Sequence, residues 1–143
     1  MLDRFIAIIA KLLIDIFRYV VKNFKLENLP SYKIGVELSS LVYSAVKNWD
    51  FLDKKTVGIQ LIRSTDSIAA NIAEGFGRFH KKDKIKFFYN ARASVYESAH
   101  WVKTAFRRKL LSNQEYESLI NLLRQLPKEI NYLIKSTNAN LTI

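Results

Sequence analysis

The pattern of apolar and polar positions between residues 60 and 78 is the most informative in the chain, because two stripes run along one predicted helix. Leu61, Ile68 and Ile72 form an apolar stripe at helical spacing. A second stripe spans about 80° at about 100° per residue and consists of short polar residues: Gln60, Ser64, Ser67, Asn71 and Glu74. A solvent-exposed face usually carries Lys and Glu, so we expect this one to contact protein.

Apolar residues at helical spacing predict four long helices between residues 31 and 137. The first starts near Ser31. The second extends from about Lys54 to Glu74, with Asp53 as its N-cap and Gly75 as its C-terminal stop. The third has Asp83 as its N-cap and ends near Leu110.

The last of these helices begins with a capping box, in which Ser112 and Glu115 satisfy each other's backbone donors. Pro127 lies inside its apolar pattern, and a proline there removes a backbone donor and clashes with the preceding turn. We therefore expect a kink at Pro127. The residues from Thr137 onward are expected to form a loose tail.

Residues 2–22 predict a further helix with a narrow charged stripe and a very wide apolar face. The charged residues fall within about 60° of the helix surface: Arg4, Lys11, Asp15, Arg18 and Lys22. We expect this helix to pack on its own domain or on a neighbouring subunit, and a helix lying on a membrane surface is the alternative. The longest uncharged run, residues 5–10, is far shorter than the roughly 20 residues of a membrane span.

No segment shows the sustained alternation of a strand, so the pattern predicts an all-α protein. We expect an antiparallel up-down four-helix bundle over residues 24–137, an additional N-terminal amphipathic helix over residues 1–23, and a loose tail over residues 138–143. The length of 143 residues is sufficient for one domain with a hydrophobic core.

The charge balance adds a class of partner to this picture. The chain has 23 Lys and Arg against 13 Asp and Glu, a net charge of +10. Such a basic domain is expected to meet polyanions, with nucleic acid the first candidate and an anionic membrane the second. Cysteine is absent, which excludes disulfides and thiolate metal sites and fits a reducing, cytoplasmic location.

Basic residues concentrate at the two ends of the third predicted bundle helix. We expect them to contact RNA phosphates without reading bases: Arg78, Lys81, Lys82, Lys84, Lys86, Arg107 and Arg108. Cations at a helix start oppose the helix dipole, so they need a compensating partner, and an anionic ligand is one candidate. The aromatic residues Phe76, Phe79 and Tyr89 lie among them. They either stack on unpaired bases or belong to the core, as we expect of Phe88.

Arg92 lies on the apolar side of its helix, where a guanidinium must be paired. Glu74 and Glu97 are its nearest candidate partners. We therefore predict a buried polar network between two helices or two subunits, with these members: Ser64, Ser67, Asn71, Glu74, Arg92 and Glu97.

The candidate chemistry for an enzyme is poor. His80 and His100 lie on different elements, without a Ser and Asp at triad spacing. Glu97 and His100 form a Glu-x-x-His pair, but di-iron bundles need two such pairs and two further glutamates. We expect no catalytic activity, no metal and no cofactor.

Two segments resemble a known family. Residues 67–75 (SIAANIAEG) and 87–97 (FFYNARASVYE) are similar to the four-helix-bundle proteins encoded in 23S rRNA intervening sequences. This family is related to the accessory variability determinant proteins of diversity-generating retroelements. Residues 29–33 resemble its usual start, and the resemblance covers about residues 24–136. Ala69 stands where members often have proline, and the helix of residues 2–22 lies outside the family pattern.

The resemblance implies an up-down bundle that assembles as a ring, commonly a homopentamer, with a basic surface suited to RNA and no enzymatic activity. Members of the retroelement branch are partners of a reverse transcriptase. Two alternatives to RNA binding therefore stay open: a protein–protein adaptor, for example for a reverse transcriptase, and a membrane-surface protein that uses residues 2–22.

Overall fold

A computed structural model of the chain describes residues 2–23 and 25–140, and these residues form helices without a strand. This confirms the all-α expectation. The helices, in chain order, are α1 (Leu2–Asn23), a 3-10 turn (Leu26–Asn28), α2 (Pro30–Val46), α3 (Phe51–Asp53), a π-helical turn (Lys54–Gly58), α4 (Ile59–Gly77), α5 (Lys81–Arg107) and α6 (Asn113–Asn140).

Four helices enclose one hydrophobic core. α4 and α6 each pack against both α2 and α5. Every core helix contributes fully buried side chains, such as Leu38 from α2, Ile68 from α4 and Ile130 from α6. Phe88 is buried as expected. Short connections bring consecutive helices side by side. Burial of their apolar stripes then holds the helices together.

Both predicted ends of the second bundle helix are wrong. Asp50 is the N-cap, since its side chain accepts a hydrogen bond from the backbone N–H of Asp53 at 2.9 Å. At the other end the helix continues through Gly75 to Gly77. Gly75 is needed for packing instead, because a Cβ at this position would lie 2.6 Å from Cε1 of Phe88 on α5.

The predicted ends of α5 also need correction. His80 occupies the N-cap position without a side-chain cap bond, and Asp83 lies in the first turn. The helix ends at Arg107, short of the expected Leu110. Lys109 then adopts a φ of 61°, a left-handed conformation that turns the chain toward α6.

The capping box of α6 is confirmed. The backbone N–H of Ser112 donates to Oε2 of Glu115 at 2.8 Å, and the N–H of Glu115 donates to the Ser112 hydroxyl at 3.2 Å. Pro127 lies inside α6, and the kink expected there stays a prediction. The expected loose tail is wrong as far as Asn140, because α6 continues to that residue. Residues 141–143 lie outside the described part.

Between residues 5 and 16, α1 does not bury its apolar face on the other described helices. Eight of its large apolar side chains, between Phe5 and Ile16, are 47–68 % exposed. The expectation that this helix packs on its own domain is therefore wrong, while the neighbouring subunit and the membrane surface stay open. Lys11, Asp15 and Arg18 of the predicted charged stripe are exposed; the side chains of Arg4 and Lys22 lie outside the described part. None of the described helices combines the length and apolarity that crossing a bilayer requires.

Candidate nucleic-acid interface

The basic turn, defined here as residues 78–86, joins α4 to α5 and is built around Lys84. The Lys84 ammonium donates hydrogen bonds to the carbonyl oxygens of Phe76 at 2.9 Å and Gly75 at 3.4 Å. These carbonyls belong to the last turn of α4, where a cation also favours the helix dipole. Desolvation lowers the pKa of Lys84 below its ordinary value. Lys84 thus caps α4 and is not available as the phosphate ligand that the sequence pattern predicted.

Two other cations of the basic turn also have partners within the protein. Arg78 forms an ion pair with Glu74 one turn earlier on the α4 side, and its guanidinium carbon lies 4.8 Å from the ring centroid of Phe87. The Lys81 ammonium donates to the carbonyl oxygen of Asn138 at 2.9 Å and ties the turn to α6. These contacts order the turn and reduce its freedom to bind elsewhere.

Lys82 and Lys86 are the uncommitted cations of the basic turn. Both are exposed, and neither has a hydrogen-bond or ion-pair partner among the described residues. They lie in the first two turns of α5, where the positive end of the helix dipole adds to their charge. This end of α5 therefore presents two unpaired ammonium groups against the one carboxylate of Asp83 in its first turn, a balance that favours an anion.

The second predicted cluster, at the other end of α5, is partly committed as well. The Arg107 guanidinium donates to the Thr104 hydroxyl at 3.3 Å and is otherwise exposed. Desolvation and Asp50 raise the pKa of Asp53, and Arg108 lies near enough for its charge to oppose that shift. The charge of Arg108 is thus partly offset by the Asp53 carboxylate at the end of α3.

One exposed face of α5 joins the two clusters. The face repeats every three or four residues over about 38 Å, at about 1.5 Å per residue. We call it the α5 ridge: Lys82, Lys86, Tyr89, Ala93, Tyr96, His100, Lys103 and Arg107. Tyr89 is 52 % and Tyr96 is 60 % exposed. The ridge thus offers four cations and two exposed aromatic rings with no acidic member.

Sequence reasoning missed Tyr96 and Lys103 because it looked for basic clusters rather than for a continuous face. Their positions, seven residues apart and in register with Lys82 and Lys86, were readable from the sequence. Tyr96, Lys103 and Arg124 also line a groove of about 190 Å³ between α5 and α6. Arg124 therefore adds a further cation beside the ridge.

The predicted network around Arg92 does not form within the described residues, and its placement between subunits stays a prediction. Glu74 pairs with Arg78 instead, and Nε of Arg92 is buried without a hydrogen-bond partner among the described residues. Arg92 and Glu97 are five residues apart, which separates them by about 140° around α5. They cannot share a face, and Glu97 lines a cleft with residues of α4.

The small polar residues of α4 bond mainly to their own helix. The Ser64 hydroxyl donates to the Leu61 carbonyl at 3.0 Å, and the Asn71 amide donates to the Ser67 carbonyl at 2.7 Å. The Ser67 hydroxyl likewise donates to the backbone one turn earlier. Ser64, Ser67 and Glu97 line a small cleft of about 120 Å³ between α4 and α5. The stripe thus faces protein at Gln60, Ser64 and Ser67, by packing rather than by a network, whereas Glu74 at its end is exposed.

The described residues contain no group of three or more His, Asp and Glu placed to hold a metal ion. His100 and Glu97 bring no third ligand with them. His80 packs edge-to-face on Phe79 at 5.3 Å, and His100 packs in the same way on Trp101 at 4.9 Å.

Comparison with known proteins identifies relatives of the core helices. A family model described as 23S rRNA-intervening sequence protein matches residues 27–132, which includes α2 to α5 and most of α6 but excludes α1. A crystal structure of a protein of unknown function from the S23 ribosomal protein family of Bacteroides thetaiotaomicron is similar in fold, with a TM-score of 0.65 and 24 % identity. The match covers 73 % of this chain and 98 % of that chain. No curated protein matches this chain.

Proposed function

The chain belongs to the family of 23S rRNA-intervening sequence proteins, and we propose that it is a non-enzymatic, basic, homo-oligomeric helical bundle that binds RNA through phosphate contacts. The proposal includes a cytoplasmic location. It requires no metal, no cofactor and no base-specific readout.

The α5 ridge is the observation that carries the RNA proposal. Lys82, Lys86, Lys103 and Arg107 are exposed along it and can follow a phosphate backbone. Tyr89 and Tyr96 lie between these cations and can stack on unpaired bases. A face with cations at both ends and tyrosines between them suits single-stranded RNA better than a duplex, whose bases are already stacked.

A filter-binding titration of labelled oligouridine at several salt concentrations tests the proposal. We expect affinity to fall steeply with salt, and we expect Lys82→Ala/Lys86→Ala to reduce the salt slope by about 1.4, at about 0.7 per lost phosphate contact on a single strand. The matched control is Lys33→Ala/Lys47→Ala, which removes two exposed cations from α2 and its C-terminal end. No RNA retained at low salt, or equal losses in the two variants, would contradict the proposal.

Tyr89→Ala/Tyr96→Ala separates stacking from charge. We expect this variant to bind oligouridine more weakly while keeping the wild-type salt slope, because stacking releases no counterions. Binding of an RNA duplex should change little. Equal losses for single strand and duplex would argue against stacking on the ridge.

The proposed architecture is an antiparallel up-down four-helix bundle. Copies of the bundle assemble as a ring, for example a pentamer. Two features support assembly. Nε of Arg92 has no partner within the described chain, and Tyr43, Phe51 and Leu52 are 61–77 % exposed at one end of the bundle. Light scattering of the wild type against Arg92→Ala measures the mass, and a monomeric wild type would contradict the ring.

A protein–protein adaptor is the second candidate function, and one groove favours it. Tyr43, Ile59 and Lys54 are among the residues that line a cavity of about 330 Å³ at the end of α2. A reverse transcriptase is the partner to test, by a pull-down with the enzyme from the same host. Binding abolished by Tyr43→Asp but unaffected by Lys82→Ala/Lys86→Ala would favour the adaptor.

A further inference from the structure

α1 is the largest feature that the proposed function leaves unused. Ile6, Ile9 and Leu13 lie opposite the charged stripe and are 47–61 % exposed. Exposed apolar side chains also continue around the helix at Phe5 and Ile14. A contiguous apolar surface of this kind marks a site that another apolar phase covers.

The width of the apolar arc distinguishes between the two remaining occupants. A coiled-coil seam with a second copy uses about two of every seven positions. Such a seam centred on Ile9 and Leu13 would leave Ile8 and Ile14 in water, about 100° away on either side. Lipid acyl chains adapt to the whole arc, while Lys11 and Arg18 extend their charged ends to the headgroups.

Charge at the point of attachment supports the same occupant. α1 ends at Asn23 and is followed by the exposed Lys25. Leu29 lines the same cavity as Phe76 and Lys84, so the helix joins the bundle at the end that carries the basic turn. Lys82 and Lys86 lie in the first two turns of α5 and therefore belong to this same end of the bundle. Anionic headgroups attract each such cation within a Debye length.

We propose that α1 lies in the interface of an anionic membrane, with its apolar arc among the acyl chains and its charged stripe at the headgroups. The basic turn then faces the same surface and adds electrostatic attraction. The proposed ligand is thus an anionic phospholipid surface. The proposal does not depend on RNA binding, because α1 alone supplies the apolar contact.

Co-sedimentation of the full chain with vesicles tests the proposal. The vesicles contain phosphatidylglycerol and phosphatidylcholine in equal parts, and pure phosphatidylcholine is the neutral reference. We expect the wild type to sediment with the anionic vesicles and much less with the neutral ones. Ile9→Asp/Leu13→Asp should weaken sedimentation by at least about tenfold, since it places two carboxylates at the centre of the apolar arc.

The control variant is Val36→Asp/Tyr132→Asp, which makes the same charge change at exposed apolar positions of α2 and α6. We expect it to sediment as the wild type does. Unchanged thermal unfolding of Ile9→Asp/Leu13→Asp would show that the bundle is intact, and retained oligouridine binding would keep the two functions separate.

Three results would overturn the proposal: a wild type that stays in the supernatant, equal sedimentation with neutral vesicles, or equal losses in the two double variants. If the wild type does not sediment and Ile9→Asp/Leu13→Asp lowers the mass measured by light scattering, the occupant is a second copy of α1. Failure of oligouridine binding alone would leave the membrane proposal standing.

Discussion

α1 and α4 are both strongly amphipathic helices, yet the structure treats their apolar faces in opposite ways. Leu61, Ile68 and Ile72 of α4 are fully buried. Ile9 and Leu13 of α1 are 47 % and 61 % exposed. The difference lies in the neighbours, because α4 packs against both α2 and α5 and α1 has no comparable surface to cover it. Hydrophobic periodicity shows that a face must be covered, and it does not show by what.

The largest effect on stability should come from truncating a buried isoleucine of α4, and truncating an exposed isoleucine of α1 is the comparison. Ile68→Ala removes a fully buried side chain from α4 and should lower the free energy of unfolding by about 2–5 kcal/mol. Ile9→Ala should change it by less than about 0.5 kcal/mol. Urea denaturation measures both. Similar losses would mean that α1 packs on the bundle and would remove the contrast.

Two glycines near the end of α4 sharpen the comparison at the level of single contacts. Gly75→Ala places a methyl group 2.6 Å from the Phe88 ring and should cost about 1–3 kcal/mol through overpacking. Gly77→Ala is the matched control, because a Cβ there has nothing within 4 Å. It should stabilise the protein by about 0.4–1 kcal/mol, since alanine restricts the unfolded chain. Similar effects of the two substitutions would contradict the close packing of Gly75 on Phe88.

A capping substitution shows how much local structure contributes beside core packing. Ser112→Ala removes the acceptor for the Glu115 N–H and should cost about 1 kcal/mol. Ser118→Ala is the control, because its exposed hydroxyl only donates to the Gln114 carbonyl within α6. Thermal unfolding monitored by circular dichroism compares them. Equal shifts in melting temperature for the two variants would indicate that the capping box adds no specific stability.

The smallest effect concerns the pH dependence of Lys84. Its pKa is lowered in the folded state, so between that pKa and the unfolded value of 10.5 the unfolded chain binds more protons. Stability from this group therefore rises with pH through that window. In Lys84→Met this rise in stability with pH should be absent. The measurement is the difference in free energy of unfolding between neutral and alkaline pH. An identical difference in both proteins would contradict the desolvation of Lys84.

The sequence allowed most of the fold to be predicted and less of the site. The helices of the bundle, the apolar stripe of α4 and the capping box of Ser112 depend on residues within one or two turns of the same helix, so periodicity and cap chemistry were sufficient. The assignment to the 23S rRNA-intervening sequence family is confirmed by the match over residues 27–132. The roles of Gly75 and Lys84 were misjudged because both depend on contacts between α4 and α5.

The candidate interface shows the same division. Charge identified Lys82 and Lys86, but composition does not tell which cations are already paired within the protein. Arg78 is held by Glu74, Lys81 by the backbone of α6 and Lys84 by the end of α4. Within the chain the Arg92 network does not form, because Glu74 pairs with Arg78 and because Arg92 and Glu97 lie on different faces of α5. Helical geometry imposes this second constraint, and pairing by charge ignores it.

By itself, the sequence determined where the helices form, which side of each is apolar and that the molecule is strongly basic, because these properties arise within single helices. Only the tertiary structure decided which apolar faces find a partner and which cations stay free. Burial and ion pairing depend on residues distant in the chain, such as Phe88 against Gly75 and Lys81 against Asn138. α1 remains exposed for the same reason: its periodicity makes it a helix, and no surface of the described bundle covers it.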